Sequence, residues 1–231
     1  GSENYLCLNI TPDYLENYFK SSPLPDALYL TSPDYLGNTL DITGISKVCK
    51  KYGVLLLIDN AHGAYQRFLS PSNHPIDLGA DMCCDSAHKT LPALTGAAYL
   101  HISKSANPYF AENAKVALSL FGSTSPSYLI LQSLDALNPY LLDYGRRLND
   151  FVLKVDTLKT KLLGNGFCLV GNEKLKITIA TKPFGYLGNE VSDILAQNNI
   201  VAEFSDPDYL TLMLTPEIDD TALSCLEKVL L

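Results

Sequence analysis

The chain has 231 residues, of which 47% are hydrophobic and 18% charged, enough for a full core in two parts. A formal net charge of −8 with no basic stripe argues against nucleic acid and anionic membranes as main partners. No apolar run reaches the roughly 18 residues of a membrane span, and GSENYLCLNI at the start lacks the basic and apolar parts of a secretion signal, so a cytoplasmic protein is expected.

Gly1-Ser2 has the composition of a cloning remnant and is set aside. From residue 11 strand-like and helix-like segments alternate. TPDYLENYFKSS predicts a helix capped by Thr11, with Pro12 in its first position. DALYLTS (26–32) is a short strand, followed by the turn-rich SPDYLGN. DITGISKVCKKYG (41–53) carries apolar residues at 42, 45, 48 and 52 and ends on a glycine, the pattern of an amphipathic helix. VLLLIDNAHG (54–63) begins as an uninterrupted apolar strand, the type buried inside parallel sheets. DMCCDS (81–86) and AAYLHIS (97–103) are two more strands. Alternation of this kind predicts an α/β layered domain.

After FGSTSPSYLILQSLDAL the pattern changes. Residues 139–164 have the spacing of one long helix, ended by Gly164 and Gly166. Then follow strands at 167–170, 174–181, 200–205 and 209–215, a helix over 188–199 and a final helix in DTALSCLEKVLL. The expected organisation is a large domain over 1–138, a connecting helix over 139–164 and a small α+β domain over 165–231.

The six cysteines (7, 49, 83, 84, 168, 225) show no regular spacing and read as small buried hydrophobes. The four histidines do not pair with them at zinc-ligand spacing, so no metal is expected.

Two residues carry chemistry. Asp59 follows five apolar residues and so ends a buried strand, where ligands bind in open α/β sheets; the plainer alternative is a helix cap in DNAHG. Lys89 leaves the end of a later strand in the company of Ser86, His88 and Thr90. A lysine on an apolar floor forms Schiff bases with carbonyls, whereas an ordinary surface lysine reaches water. Hydroxyl, imidazole and amine clustered at a strand exit suit an aldehyde cofactor bearing a phosphate. In GSTSPS (122–127), Ser125 and Pro126 have the pattern of an N-cap and first helical residue, a helix end that also attracts phosphate.

DNAHGAY, followed by DSAHKTLPALTGAAYLH, resembles the pyridoxal-phosphate enzymes of the aspartate-aminotransferase fold (fold type I). The patterns D-x-A-H-G and S-x-H-K-T-L are those of the Orn/Lys/Arg decarboxylase family, and TSPDYLGNTLDI and STSPSYLILQSLD resemble its neighbouring segments. The carboxy-terminal strands resemble its small domain.

The resemblance implies a mostly parallel sheet, a lyase of polyamine metabolism releasing CO2 from arginine, lysine or ornithine, and a homodimer with a shared active site. Lys89 would hold pyridoxal 5′-phosphate until the substrate amine displaces it. Asp59 would pair with the pyridine nitrogen, and Ala61 would let the ring lie close to the backbone. His62 would touch the cofactor or buttress Asp59. Ser86 and His88 would bind phosphate or orient Lys89, His88 also protonating Cα. Ser123 or Thr124 would meet the phosphate of the neighbouring subunit. Glu203, Asp206 and Asp208 are candidates for substrate selection, or plain loop charges.

The family's front half, with its glycine-rich phosphate turn and ring-stacking residue, has no counterpart upstream of residue 37. The chain is therefore expected to be a fragment that binds the cofactor weakly and is inactive alone. An aminotransferase or sulfur-amino-acid lyase of the same fold, and a non-catalytic interaction module, remain as alternatives.

Overall fold

A computed structural model describes residues 10–231; Gly1-Ser2, Cys7 and the rest of GSENYLCLN lie outside the described residues. The described residues form two compact units, one of 10–32 with 40–144, the other of 33–39 with 145–231.

The first unit is built on a four-stranded sheet of β1 (Ala27–Thr31), β2 (Leu55–Asp59), β3 (Met82–Asp85) and β4 (Tyr99–Ile102), in that spatial order. The first three strands are parallel and β4 runs antiparallel to β3, so the mostly parallel α/β class expected from the sequence is the one observed. Parallel neighbours need a crossover, and α2 (Ile42–Tyr52) supplies it between β1 and β2.

Both early helices start and stop where their capping residues dictate. In α1 (Pro12–Ser21) the Thr11 hydroxyl accepts the Tyr14 N–H at 3.2 Å, with proline at the helix start. In α2 the Asp41 carboxylate accepts the Gly44 N–H at 2.9 Å. Gly53, at φ 70°, closes the other end in the left-handed region.

Leu15 and Phe19 of α1, with Ile42, Ile45 and Cys49 of α2, pack on Leu30, Leu56, Ile58 and Cys83 of the sheet. Burying each large aliphatic side chain stabilises by about 1.5–3 kcal/mol. The opposite face is more open. Alternation puts Leu55, Leu57 and Asp59 there, all half-buried, and their neighbours Tyr29 and Leu100 are 61% and 44% exposed. The run Val54–Ile58 predicted burial on both faces; in this chain β2 is fully buried on one.

Beyond β4 the structure departs from the sequence reading. PYFAENAKVALSLF forms α4 (Pro108–Phe121), which the pattern did not reveal; the Asn107 side chain caps it through the Tyr109 N–H at 3.0 Å. The next helix, α5 (Tyr128–Tyr140), is capped at Ser127 rather than Ser125. Pro126 disfavours helical backbone at the preceding residue, and the Ser125 N–H instead turns to the Ser123 hydroxyl at 3.1 Å.

The helix expected over 139–164 is also corrected. Residues 139–140 finish α5, and α6 (Tyr144–Gly164) begins only after a turn at 141–143. Pro139 brings no N–H to the last turn of α5, and the chain tightens through Leu142 N–H to Pro139 C=O and Tyr144 N–H to Leu141 C=O, both at 3.4 Å.

The second unit carries β5 (Cys168–Val170), β6 (Lys176–Ala180), β7 (Phe204–Ser205) and β8 (Tyr209–Met213) in the order β5-β6-β8-β7, all antiparallel, with α7 (Gly188–Gln197) and α8 (Asp220–Leu230). The strand expected over 200–205 shrinks to two residues. The Ile200 N–H still closes the end of α7 on Leu195, and Val201 is 87% exposed.

Segment 33–39 is clasped by β6. Buried Lys176 donates from Nζ to the carbonyls of Asp34 and Tyr35 at 3.0 and 3.2 Å, and the Thr178 hydroxyl donates to that of Leu36 at 2.8 Å. Gly37, at φ 83°, turns its carbonyl to the N–H groups of Asn172 and Glu173. Cys49 and Cys83 are buried as expected, but Cys168 and Cys225 are exposed; all four, with Cys84, are free thiols.

Candidate active site

Strands β2 and β3 are parallel neighbours, with Asp59 level with Cys84. Their outgoing loops therefore leave the same end of the sheet, roughly 5 Å apart. Asp59 ends β2 half-buried on the open face. Its Oδ1 accepts the Ala61 N–H at 3.1 Å, a local turn bond rather than the helix cap that was the plain alternative. The Tyr29 hydroxyl also bonds to Asp59; burial and then the Asp59 charge push its pKa up. The Cys84 thiol lies 3.9 Å from Oδ1 and is raised for the same reasons.

Lys89 sits on α3 (Ala87–Thr90), a single turn that begins directly after β3 and Ser86. Its Nζ is 3.0 Å from Nε2 of buried His62, three residues beyond Asp59. The two strand exits are thus tied together through an amine and an imidazole. His62, for which the sequence offered the cofactor or Asp59 as partners, meets Lys89.

His88 is oriented by its backbone. Its Nδ1 lies 3.0 Å from the Ala97 carbonyl oxygen, leaving Nε2 as the other ring nitrogen. Ser86 is half-buried and caps α3 without a side-chain bond. Thr90 is buried, and its hydroxyl oxygen has no hydrogen-bond partner; a buried polar atom of this kind calls for a ligand or water.

Ser123 and Thr124 are exposed in the loop between α4 and α5 and make no hydrogen bond to Asp59, His62 or Lys89. Two of the three acidic candidates of the second unit, Asp206 and Asp208, have local duties. Asp206 accepts from the N–H groups of Asp208 and Tyr209 at 2.8 and 2.7 Å, and Asp208 pairs with Lys182.

The sequence reading missed the other face of the same strand end. Asp85, the last residue of β3, is 3% exposed. It accepts from Asn60 Nδ2 at 2.8 Å and stands 3.1 and 3.0 Å from Nε2 of His74 and His101. Burial opposes its ionisation, but the two imidazoles and the Asn60 amide outweigh that and hold its pKa at about 2. The available signal was positional: Asp85 ends a parallel strand just as Asp59 does.

A family model, the major domain of the Orn/Lys/Arg decarboxylases, matches residues 6–166. An uncharacterised Bacillus subtilis protein, YaaO, is 35% identical over 82% of this chain and 42% of its own length. An arginine decarboxylase of the same organism is 30% identical over 83% of this chain and 42% of its own. The chain thus spans about two fifths of the length of the curated relatives it matches. Among solved structures, the constitutive lysine decarboxylase of E. coli superposes with a TM-score of 0.72 at 20% identity, over 95% of this chain and 38% of the other. A serine palmitoyltransferase of Sphingomonas wittichii reaches 0.73 at 14%, over 95% and 58%. These structures share the fold, and the motifs around Asp59 and Lys89 fall inside the matched region. The chain belongs to the Orn/Lys/Arg decarboxylase family.

Proposed function

We propose that this chain is part of the catalytic region of a pyridoxal-phosphate-dependent decarboxylase of basic amino acids. One observation carries the reading: the Asp59 carboxylate and the Lys89 amine leave the same end of two adjacent parallel strands, with His62, from the Asp59 turn, bonded to Lys89.

The residues present fit the cofactor. Asp59 is a half-exposed carboxylate free to meet a protonated pyridine nitrogen, and Ala61 adds no bulk beside it. Lys89 supplies the amine, and the unpartnered Thr90 hydroxyl and the uncommitted Ser86 side chain are polar groups near it. Bound there, pyridoxal phosphate supplies an electron-accepting ring for the pair left on the substrate Cα when CO2 departs.

The chain's own residues do the rest. Asp59 keeps a proton on the ring nitrogen, since a carboxylate beside a cation favours the charged form. His62 aims the Lys89 amine and accepts its N–H. Lys89 would hold the cofactor's aldehyde carbon, and His88, set by the Ala97 carbonyl, would be placed to deliver a proton to Cα. In this reading residues 1–138 are the cofactor-binding part, 139–164 the connector and 165–231 the small domain.

Alone, the chain holds the cofactor weakly, because the sheet face that bears Asp59 is open. The test is to incubate it with pyridoxal phosphate, reduce with borohydride and map the adduct by mass spectrometry. Labelling is expected to favour Lys89 over the other lysines and to need high cofactor concentration. Labelling spread evenly over surface lysines counts against the site; tight stoichiometric binding counts against the weak hold.

The active enzyme is a homodimer in a reducing cytoplasm. Support comes from α4 and α5, which expose Phe121 at 92% and Tyr128 at 84% beside Leu120 and Leu129, an apolar surface suited to a second copy. Light scattering should give twice the chain mass, falling to one chain mass in Phe121→Glu; a monomeric parent chain rules the dimer out.

A further inference from the structure

We propose that His74, Cys83 and Asp85 form a binding site for a zinc-type divalent cation on the face of β3 opposite Asp59. The three residues are buried, and their donor atoms lie within 4.8 Å of one another. His74 Nε2 is 3.1 Å from Asp85 Oδ2 and 3.7 Å from Cys83 Sγ, and Cys83 Sγ is 3.9 Å from Asp85 Oδ1. Tetrahedral zinc with bonds of about 2.0–2.3 Å sets its ligands roughly 3.3–3.8 Å apart. The His74–Cys83 and His74–Asp85 pairs already stand near that spacing, and Cys83 faces the second oxygen of the same carboxylate, so a rotation of Asp85 would bring the three donors together.

Donor chemistry and charge point the same way. Imidazole, thiol and carboxylate together are a zinc set. The Asp85 carboxylate is buried, and its partners are the Asn60 amide, the Cys83 thiol and two imidazoles, none of them a permanent cation. A buried anion without a fixed countercharge favours a cation. His101 adds a fourth donor: its Nε2 lies 3.0 Å from Asp85 Oδ2, yet its N–H direction misses that oxygen and meets no other acceptor. Two groups that close without an aligned hydrogen bond are well placed to aim at a shared third point.

Access comes from a cavity of about 770 Å³ lined by His74, Asp85, His101, Tyr99 and Asp77. Sequence spacing argued against zinc because His74 and Cys83 are nine residues apart with no motif between them. The alternation of β3 brings Cys83 and Asp85 to one face, and the 69–80 loop returns His74 onto it. Asn60, the residue after Asp59, then donates to Asp85, so a cation here would brace the active-site strand end from behind. The site does not depend on the decarboxylase reading.

The experiment is a cobalt(II) titration of the metal-free 231-residue chain. One equivalent should produce tetrahedral visible bands and a thiolate-to-cobalt charge-transfer band, both displaced by zinc. The charge-transfer band should vanish in Cys83→Ser, and affinity should fall at least tenfold in His74→Gln. X-ray absorption of the zinc-loaded parent chain, which needs no variant, should show one sulfur near 2.3 Å and nitrogen or oxygen near 2.0–2.1 Å. The proposal is overturned by the absence of saturable binding, by octahedral oxygen-only coordination, or by a charge-transfer band that persists in a Cys83→Ser chain with the parent's circular dichroism.

Discussion

The two faces of the β1–β4 sheet each present an aspartate at the end of a parallel strand, and the two are used in opposite ways. Asp85 is buried, with an amide and two imidazoles around it. Asp59, one strand over, is half-exposed and takes its bonds from a backbone N–H and groups at the open face. A buried carboxylate ringed by neutral donors ties strand ends together, whereas a half-exposed one stays open to a ligand arriving from solvent.

The largest expected effect separates the faces themselves. Ile58→Ala empties the covered side and should lower stability by about 2–5 kcal/mol. Leu57→Ala, its neighbour on the open side, should lower it by no more than about 1 kcal/mol. Urea unfolding of both variants checks this, and equal losses would mean that the open face is packed in solution.

Next in size is the exchange between the aspartates. Asp85→Asn puts an amide where the buried His74 imidazole meets a carboxylate and should reduce stability by about 1–3 kcal/mol. Asp59→Asn should change stability by less than ~0.5 kcal/mol yet weaken cofactor binding about tenfold, or ~1.4 kcal/mol. Paired melting curves and cofactor titrations would reveal a reversal, with Asp59 governing stability and Asp85 governing affinity.

The smallest effect lies on the covered side, between α1 and α2. Lys51, then Lys20, hold the half-buried Glu16 carboxylate down to about 2 from 4.5, and Tyr52 adds a bond. A depressed carboxylate stabilises above its unfolded pKa, and that contribution fades as pH falls from about 4.5 to about 2. Melting temperatures over that range should drop slightly less steeply in Glu16→Gln than in the parent chain; identical slopes would show the pair to be inert.

Much of this was legible in the sequence because local physics fixed it. Thr11-Pro12 and Asp41 with Gly53 bracket their helices by capping alone, and the positions of Asp59 and Lys89 follow from apolar runs that end where polar motifs begin. The Lys89–His62 bond was not legible: it depends on β2 and β3 lying side by side, which no local pattern specifies. Asp85, His74 and His101 were hidden for the same reason. The misplaced starts of α5 and α6 have a local cause: the Ser125–Pro126 pair reads as a cap two residues early, and periodicity ran through Pro139.

The clasp on segment 33–39 bears on how the chain reaches its native state. Lys176 meets Asp34, and Thr178 meets Leu36, across 142 residues. A ribosome releases Asp34 long before either partner, so β6 cannot complete its contacts until a loop of that length closes, and closure entropy grows with length. Order in the carboxy-terminal unit must therefore come late, and a nascent chain interrupted at residue 144 would carry an early segment with nothing to grip it.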